Sequence, residues 1–316
     1  MQISVVIPTH NRWSNLSRAL ECLATQACPP ASFEVIVVDD GSDDETWPWL
    51  QAQVNAYPFL LRPMRQPPQG PVAARNKGTA SAQGELILFL GDDIYASPDL
   101  ISRHMACHVT WPGQWNAVLG QVQWATDLPV TSLMHWMETG GAQWRFEELE
   151  AGSLLDYHWF ITANLSLARS VLLEVGGFDE GFPHASLEDT ELGYRLFQSG
   201  LQIRYTPDAL AYHWHPVSLE AFLDRSRKQG RAAVHFAWRW PELRKQLLDP
   251  TVWFANYPSA QRQLLSRVVR SRCFIASLLP FAFWLARRPP GALQPWASPI
   301  YWLIVYHNRW LGITSI

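Results

Sequence analysis

Two pairs of adjacent aspartates sit where chemistry would be expected. Asp92-Asp93 directly follows Leu86-Ile87-Leu88-Phe89-Leu90-Gly91, and Asp39-Asp40 ends Phe33-Glu34-Val35-Ile36-Val37-Val38. Apolar runs of this length read as strands buried on both faces of a parallel sheet. Ligands of open α/β sheets bind outside the carboxyl ends of the strands. Two neighbouring carboxylates there repel each other unless a cation compensates them, and a hard divalent ion takes oxygen ligands. At Asp39 and Asp40 a carboxylate could instead accept hydrogen bonds from a ribose hydroxyl or a pyrimidine N–H. The rival role for both pairs is an ordinary turn, where aspartate is common.

A third acidic pair, Glu188-Asp189, opens a segment whose Leu192 and Leu196 mark the buried side of a helix. A carboxylate near an acceptor can take a hydroxyl proton, although Ser186 and Asp189 also fit a capping box. Downstream, His213 and His215 alternate, so in a strand they would share a face. Imidazole binds several divalent metals. We expect one of the two to touch metal or diphosphate, with nothing in the sequence to choose between them.

The elements that must hold these groups follow in order. Ile3–Ile7 reads as a first strand ending in Pro8-Thr9-His10-Asn11-Arg12, and Leu16, Ala19, Leu20 and Leu23 recur at helical spacing. Ser42 with Glu45 fits a capping box for a second helix. A weaker strand near Phe59-Leu60-Leu61 leads to a helix beginning Val72-Ala73-Ala74-Arg75-Asn76-Lys77-Gly78. Small residues there would let the helix approach the sheet, and Arg75 near its N-terminus would suit a diphosphate. Gln114–Trp124 alternates like a strand, and Gln202–Tyr205 is a further one. Strand and helix alternating over short connections means βαβ units. No G-x-G-x-x-G follows the first strand, so the dinucleotide fingerprint is missing. Trp144 and Trp159 are read as core or lid before sugar platforms.

The order Val37-Val38-Asp39-Asp40-Gly41-Ser42, Ala74-Arg75-Asn76-Lys77-Gly78 and Phe89-Leu90-Gly91-Asp92-Asp93, with Val5-Val6-Ile7-Pro8-Thr9-His10-Asn11-Arg12 ahead of them, resembles the family 2 glycosyltransferases of the GT-A fold. Gly176-Gly177-Phe178-Asp179 matches as well. The resemblance covers about residues 1–235 and implies an α/β fold with a Rossmann-like, mostly parallel sheet flanked by helices. It implies a nucleotide-sugar donor, most often a uridine diphosphate sugar, a divalent metal (Mn²⁺ or Mg²⁺) and inversion at the anomeric carbon. Carried over by position, Pro8, Thr9, Asn11, Arg12, Asp39, Asp40, Arg75 and Asp92 would bind the donor. Asp93 with Asp92 would hold the metal, with His213 or His215 as further ligands, and Asp189 would be the catalytic base. Gly91 stands where many members have an acidic residue.

Composition narrows the remaining choices. The chain has 316 residues, 48% hydrophobic and 17% charged, which fits a folded catalytic domain with an appendage. Cys22, Cys28, Cys107 and Cys273 show no metal-ligand spacing, so a reducing, cytoplasmic setting without a secretory leader is expected. Charge is uneven: residues 1–224 hold 11 Lys/Arg against 26 Asp/Glu, whereas residues 225–288 hold 13 Lys/Arg against Glu242 and Asp249. We expect a catalytic domain over 1–235, with a nucleotide-binding half (1–110) and a donor-sugar and acceptor half (111–235), then a basic helical extension over 236–316. The apolar run Cys273–Ala286, closed by Arg287-Arg288, is shorter than the roughly 20 residues that cross a bilayer. It resembles an interfacial helix as much as a packed one, so contact with the inner face of a membrane is a candidate. No recognition motif for nucleic acid accompanies the basic segment. The rivals to a transferase acting on a carbohydrate or glycolipid acceptor are a nucleotidyltransferase and a nucleotide-sugar-binding module without transfer activity. The first lacks its Gly-rich loop after strand one, and the second would not need Asp189 with Asp92 and Asp93.

Overall fold

The computed structural model describes residues 2–139, 145–182 and 186–315; Trp144 lies outside them. Nine strands are described: β1 Ile3–Thr9, β2 Phe33–Asp39, β3 Leu60–Arg65, β4 Leu86–Leu90, β5 Ile94–Ala96, β6 Asn116–Trp124, β7 Leu154–Leu155, β8 Asn164–Ala168 and β9 Gln202–His213. The helices are α1 Trp13–Ala24, α2 Thr46–Ala52, α3 Pro71–Ser81, α4 Leu100–Thr110, α5 Ser132–Thr139, α6 Arg169–Glu174, α7 Glu188–Gln198, α8 Leu219–Arg239, α9 Arg244–Leu248, α10 Pro250–Trp253, α11 Ser259–Arg270, α12 Arg272–Ala286 and α13 Gln294–Ile313. They divide into two compact units. One comprises Met1–Leu128, Glu148–Glu180 and Glu188–His215; the other comprises Pro129–Glu147, Gly181–Leu187 and Pro216–Ile316. Helix α8 runs unbroken through residue 235.

The first unit is built on one sheet of order β3-β2-β1-β4-β8-β6-β9-β5, with β7 against β9. β1, β2, β3 and β4 pair in parallel, β6 pairs in parallel with β9, and β8, antiparallel to both β4 and β6, joins the two groups. β1, β2, β4, β6 and β9 therefore all end at the same edge. The apolar runs explain the centre: all of β2 and nearly all of β1 and β4 are buried. β3 is the outer strand, which is where its Pro63, lacking a donor, can be tolerated. Leu16, Ala19, Leu20 and Leu23 form the buried face of α1 as their spacing predicts. Helix α3 comes so close to the sheet that a Cβ on Gly78 would lie 2.5 Å from Val6 Cγ1.

The β6–β9 ladder breaks once. Gly120 pairs with Thr206, but Val122 pairs with Ala211. Pro207 cannot donate to the ladder, and the chain bulges there. The buried Asn164 amide closes the gap: its Nδ2 donates to the carbonyls of Gln121 (3.1 Å) and Ala209 (2.8 Å). Its Oδ1 lies 2.8 Å from His104 Nε2. The segments expected as a short strand and a separate His-bearing strand are thus one strand, with His215 just past its end.

The second unit is helical. α8 and α13 meet backbone to backbone: a Cβ on Gly230 would lie 2.1 Å from the Arg309 carbonyl, and one on Gly312 would lie 2.0 Å from the Arg227 carbonyl. Trp136 fills the core of this unit against Tyr301, Trp302 and Phe222, with its Nε1 donating to Ser298 Oγ at 3.1 Å.

Candidate active site

Asp92 and Asp93 leave the end of β4, and the neighbouring strand ends bring partners to them. From the end of β1, Thr9 Oγ1 donates to Asp92 Oδ2 at 2.8 Å. Arg12, in the turn after β1, sends Nη1 to Asp92 Oδ1 (3.1 Å) and Asp93 Oδ2 (2.7 Å). His213, the last residue of β9, is opposite Ile94 in the β5–β9 register, and the Trp214 N–H donates to the Asp93 carbonyl at 2.9 Å. These two constraints place His213 Nε2 3.5 Å and His215 Nδ1 3.2 Å from Asp93 Oδ2. The two imidazoles stack at 5.3 Å, and Trp124 stacks on the outer face of His213, also at 5.3 Å.

One ligand atom from each of Asp93, His213 and His215 lies within 4.8 Å of the others. A carboxylate with two imidazoles is a donor set that suits a divalent transition ion, so these residues would fit such an ion. Asp92 is outside that trio and faces Thr9 and Arg12. The electrostatics separate the two aspartates. Burial and the charge of Asp93 push Asp92 up to about 6, against the pull of Arg12 and Thr9. Burial would raise Asp93 too, but the two histidines and Arg12 hold it well below the usual carboxylate range.

Asp39 and Asp40 form a second cluster at the end of β2. Asp39, fully buried, pairs with Arg65 Nε at 3.2 Å and accepts from the Ser42 N–H. Asp40 accepts from Gln66 Nε2 and the Gln69 N–H at 2.8 Å each, and from the Gly70 N–H at 2.7 Å. It thereby fixes the loop that starts α3. Asn11, at φ 54°, donates Nδ2 to Asp43 and its N–H to Ser42 Oγ, which ties the β1 loop to the β2 loop. Ser42 is engaged there and caps nothing; α2 starts at Thr46, whose N–H is met by Asp44. Pro8 sits in β1 opposite Val38.

The third cluster joins α3 to α7. Arg75 Nη1 lies 3.2 Å from Glu188 Oε1, and the guanidinium sits over Phe178. Burial and the charge of Asp189 raise Glu188 to about 7, with Arg75 opposing. Asp189 is half-buried, and its Oδ1 accepts the Thr190 N–H at 2.8 Å. The expected Ser186 cap is displaced: α7 begins at Glu188, after Leu187 in the left-handed region at φ 65°. A leucine rarely adopts that backbone, and strain of this kind gathers at functional sites. Next to Arg75, Asn76 clamps the Gly-Gly-Phe segment. Its Oδ1 accepts the Phe178 N–H (2.8 Å), and its Nδ2 donates to the Phe178 carbonyl (2.9 Å) and Glu180 (2.8 Å).

The structure therefore brings Thr9, Arg12, Asp92, Asp93, His213 and His215 into one cluster, with Asp39, Asp40 and Asn11 in an adjoining loop network and Arg75 with Glu188-Asp189 between two helices. Sequence reasoning assigned no role to Arg65, Gln66, Asn76 or Trp124. Of these, only Asn76 carried a signal, as the residue between Arg75 and Lys77 in a motif already singled out.

The model of glycosyl transferase family 2 matches residues 4–108, and that of glycosyl transferase family group 2 matches residues 129–311. The chain is 27% identical over 267 residues to an uncharacterized glycosyltransferase, YfnE, of Bacillus subtilis, covering 71% of this chain and 68% of that protein. It is 35% identical to validoxylamine A glucosyltransferase of Streptomyces hygroscopicus, over 63% of this chain but only 48% of that protein. Among solved structures, a mannosyltransferase from Pyrobaculum calidifontis in complex with GDP-Man and Mn²⁺ superposes with TM-score 0.62 at 17% identity, covering 97% of this chain and 85% of that one. S. aureus TarS 1–349 in complex with UDP gives TM-score 0.56 at 19% identity, covering 98% and 89%. At these identities the structures speak for the fold.

Proposed function

We propose that this chain, which belongs to the family 2 glycosyltransferases, moves a sugar from a nucleoside diphosphate donor to an acceptor hydroxyl with inversion, and that a divalent ion takes part. The observation that carries the reading is the meeting of Asp93, His213 and His215 at the edge where β1, β2 and β4 also end. When bound there, a divalent ion would offset the charge that builds on the departing diphosphate. The protein's own part is to place and charge the surrounding groups. Arg12 supplies a second, permanent positive charge beside Asp92 and Asp93. The loop held by Asp40 positions the start of α3, and with it Arg75. Asp189 accepts the proton of the attacking hydroxyl as the new bond forms on the face of the anomeric carbon opposite the breaking bond to the diphosphate. Glu188, buried and occupied by Arg75, is the less accessible member of its pair. Complexes of the fold's neighbours with UDP and with GDP-Man support the donor class, and we take a uridine diphosphate sugar as the first donor to test. The acceptor is a carbohydrate or glycolipid hydroxyl.

The test is a panel of nucleotide sugars assayed for nucleotide release with Mn²⁺, Mg²⁺ or EDTA. Turnover that needs a metal supports the reading; no turnover of any donor under any of these conditions would remove it. Asp189→Asn should bind UDP as the wild type does and transfer sugar at least about 10²-fold more slowly, and an unchanged rate would take away its role.

We also propose that α12 lies against an anionic membrane surface at the cytoplasmic face. Phe274, Phe281 and Trp284 share one exposed side of this apolar helix, each more than 40% exposed. Arg288 stacks on Trp284 at 4.9 Å. Aromatic side chains with flanking arginines are the make-up of interfacial helices, and no single described helix is long and apolar enough to cross a membrane. Wild-type protein should sediment with phosphatidylglycerol vesicles and not with phosphatidylcholine vesicles, and Phe281→Ser with Trp284→Ser should abolish that. Equal sedimentation of wild type and variant would overturn the proposal.

A further inference from the structure

We infer that Arg12 and a divalent ion compete for the same ligand atoms, so that Arg12 makes metal binding depend on the donor's diphosphate. The inference rests on the nucleotide-sugar reading above and concerns a residue of this chain to which that reading gives only a charge. Arg12 Nη1 is 2.7 Å from Asp93 Oδ2, and Nη2 is 3.2 Å from His215 Nδ1. Those are two of the three atoms that would grip an ion. An ion seated on them would meet a guanidinium on its own ligands. That group does not lose its charge near neutral pH, and like charges a few ångströms apart in a poorly solvated pocket repel strongly. The arginine must therefore swing away as the ion enters.

The backbone allows only the side chain to move. The Arg12 N–H donates to Thr46 Oγ1 at 3.0 Å, and Asn11 before it is pinned to Asp43 and Ser42. The side chain itself is 37% exposed, so solvent adjoins it on one side. Charge then sets the order of events. Two carboxylates and one guanidinium leave the cluster at −1, and a divalent ion alone would turn it to +1. A diphosphate brings at least two negative charges, enough for ion and guanidinium to be held together, and arginine pairs readily with phosphate. The ion should bind weakly by itself and tightly with the nucleotide, and by linkage each must strengthen the other by the same factor.

The experiment is titration of the full chain with Mn²⁺, followed by electron paramagnetic resonance of free Mn²⁺, with and without UDP, in wild type, Arg12→Ala and Arg12→Gln. Thermal melts of each protein with and without Mn²⁺ accompany it. Without UDP, both variants should bind Mn²⁺ about tenfold more tightly than wild type, and UDP should improve Mn²⁺ affinity by a larger factor in wild type than in either variant. Arg12→Ala without Mn²⁺ should melt below wild type, because Asp92 and Asp93 lose their counter-charge, and Mn²⁺ should raise its melting temperature more than it raises that of wild type. Variants that bind Mn²⁺ no more tightly without UDP, or that keep the full effect of UDP, would overturn the role of Arg12. Should Arg12→Ala not fold, Arg12→Gln gives the same two comparisons. A wild type that binds no Mn²⁺ even with UDP would instead remove the metal-dependent reading on which the inference rests.

Discussion

Glu188 should make the stability of this protein fall as pH rises from about 4.5 to about 7, and Glu188→Gln should remove that fall. Glu188 is 5% exposed and lies next to Asp189, and its carboxyl meets Arg75 at 3.2 Å. Burial, then Asp189, raise it from 4.5 to about 7. A carboxyl raised on folding keeps its proton over a range in which the unfolded chain has released it. The stability it contributes is therefore complete below about pH 4.5 and is lost as pH rises through about 7. At about 1.4 kcal/mol for each pH unit, the gap amounts to roughly 3 to 4 kcal/mol, most of which falls between pH 5 and pH 8. Asp92, raised to about 6, titrates with the same sign but is present in both proteins and cancels in the comparison. Urea unfolding at pH 5 and pH 8 reads the effect: wild type should lose roughly 2 to 3 kcal/mol more than Glu188→Gln between the two. The comparison uses slopes, so the weaker Arg75 contact in the variant, felt at both pH values, does not disturb it. Equal pH dependence of the two proteins would refute the claim that a buried, Asp189-crowded carboxyl governs this helix start.

Two further substitutions probe the frame around the site. Asp93→Ala deletes the atom shared by Arg12, His213 and His215, and calorimetry should show UDP binding no longer strengthened by Mn²⁺; retained strengthening would show that the ion sits elsewhere. Gly177 has φ 69°, and a Cβ there would lie 2.6 Å from Asn76 Oδ1. Gly177→Ala should thus cost about 2 kcal/mol, from the left-handed backbone and the broken Asn76 clamp together, seen as a lower urea midpoint; an unchanged midpoint would mean the clamp contributes nothing.

Much of this arrangement was legible because burial writes itself into short apolar runs. β1, β2 and β4, and the acids that end β2 and follow β4, are read from five to seven consecutive residues each. The histidine pair was legible from alternation, although His215 lies past the strand and reaches Asp93 by stacking on His213. Illegible parts depend on partners far along the chain. Ser42 and Ser186 each satisfy a local capping rule, yet Ser42 is taken by Asn11, and Leu187 turns left-handed ahead of α7. The contacts of Arg12 with Asp92, Asp93 and His215 span 80 residues and more, and no local pattern announces them. Asp40, assigned by resemblance to the nucleoside, turns its carboxylate to the loop before α3.

The break at Pro207 sets which residues of β6 and β9 meet beyond it. Between the pairs Gly120–Thr206 and Val122–Ala211, β6 advances two residues while β9 advances five. The excess is three residues, and it changes the cross-strand partner of every later position. Without it, Trp124 would lie opposite Leu210, and His213 would fall beyond the end of β6. Asn164, which bonds the carbonyls of Gln121 and Ala209 on the two sides of the break, holds that offset in place and with it the end of β9 that carries His213.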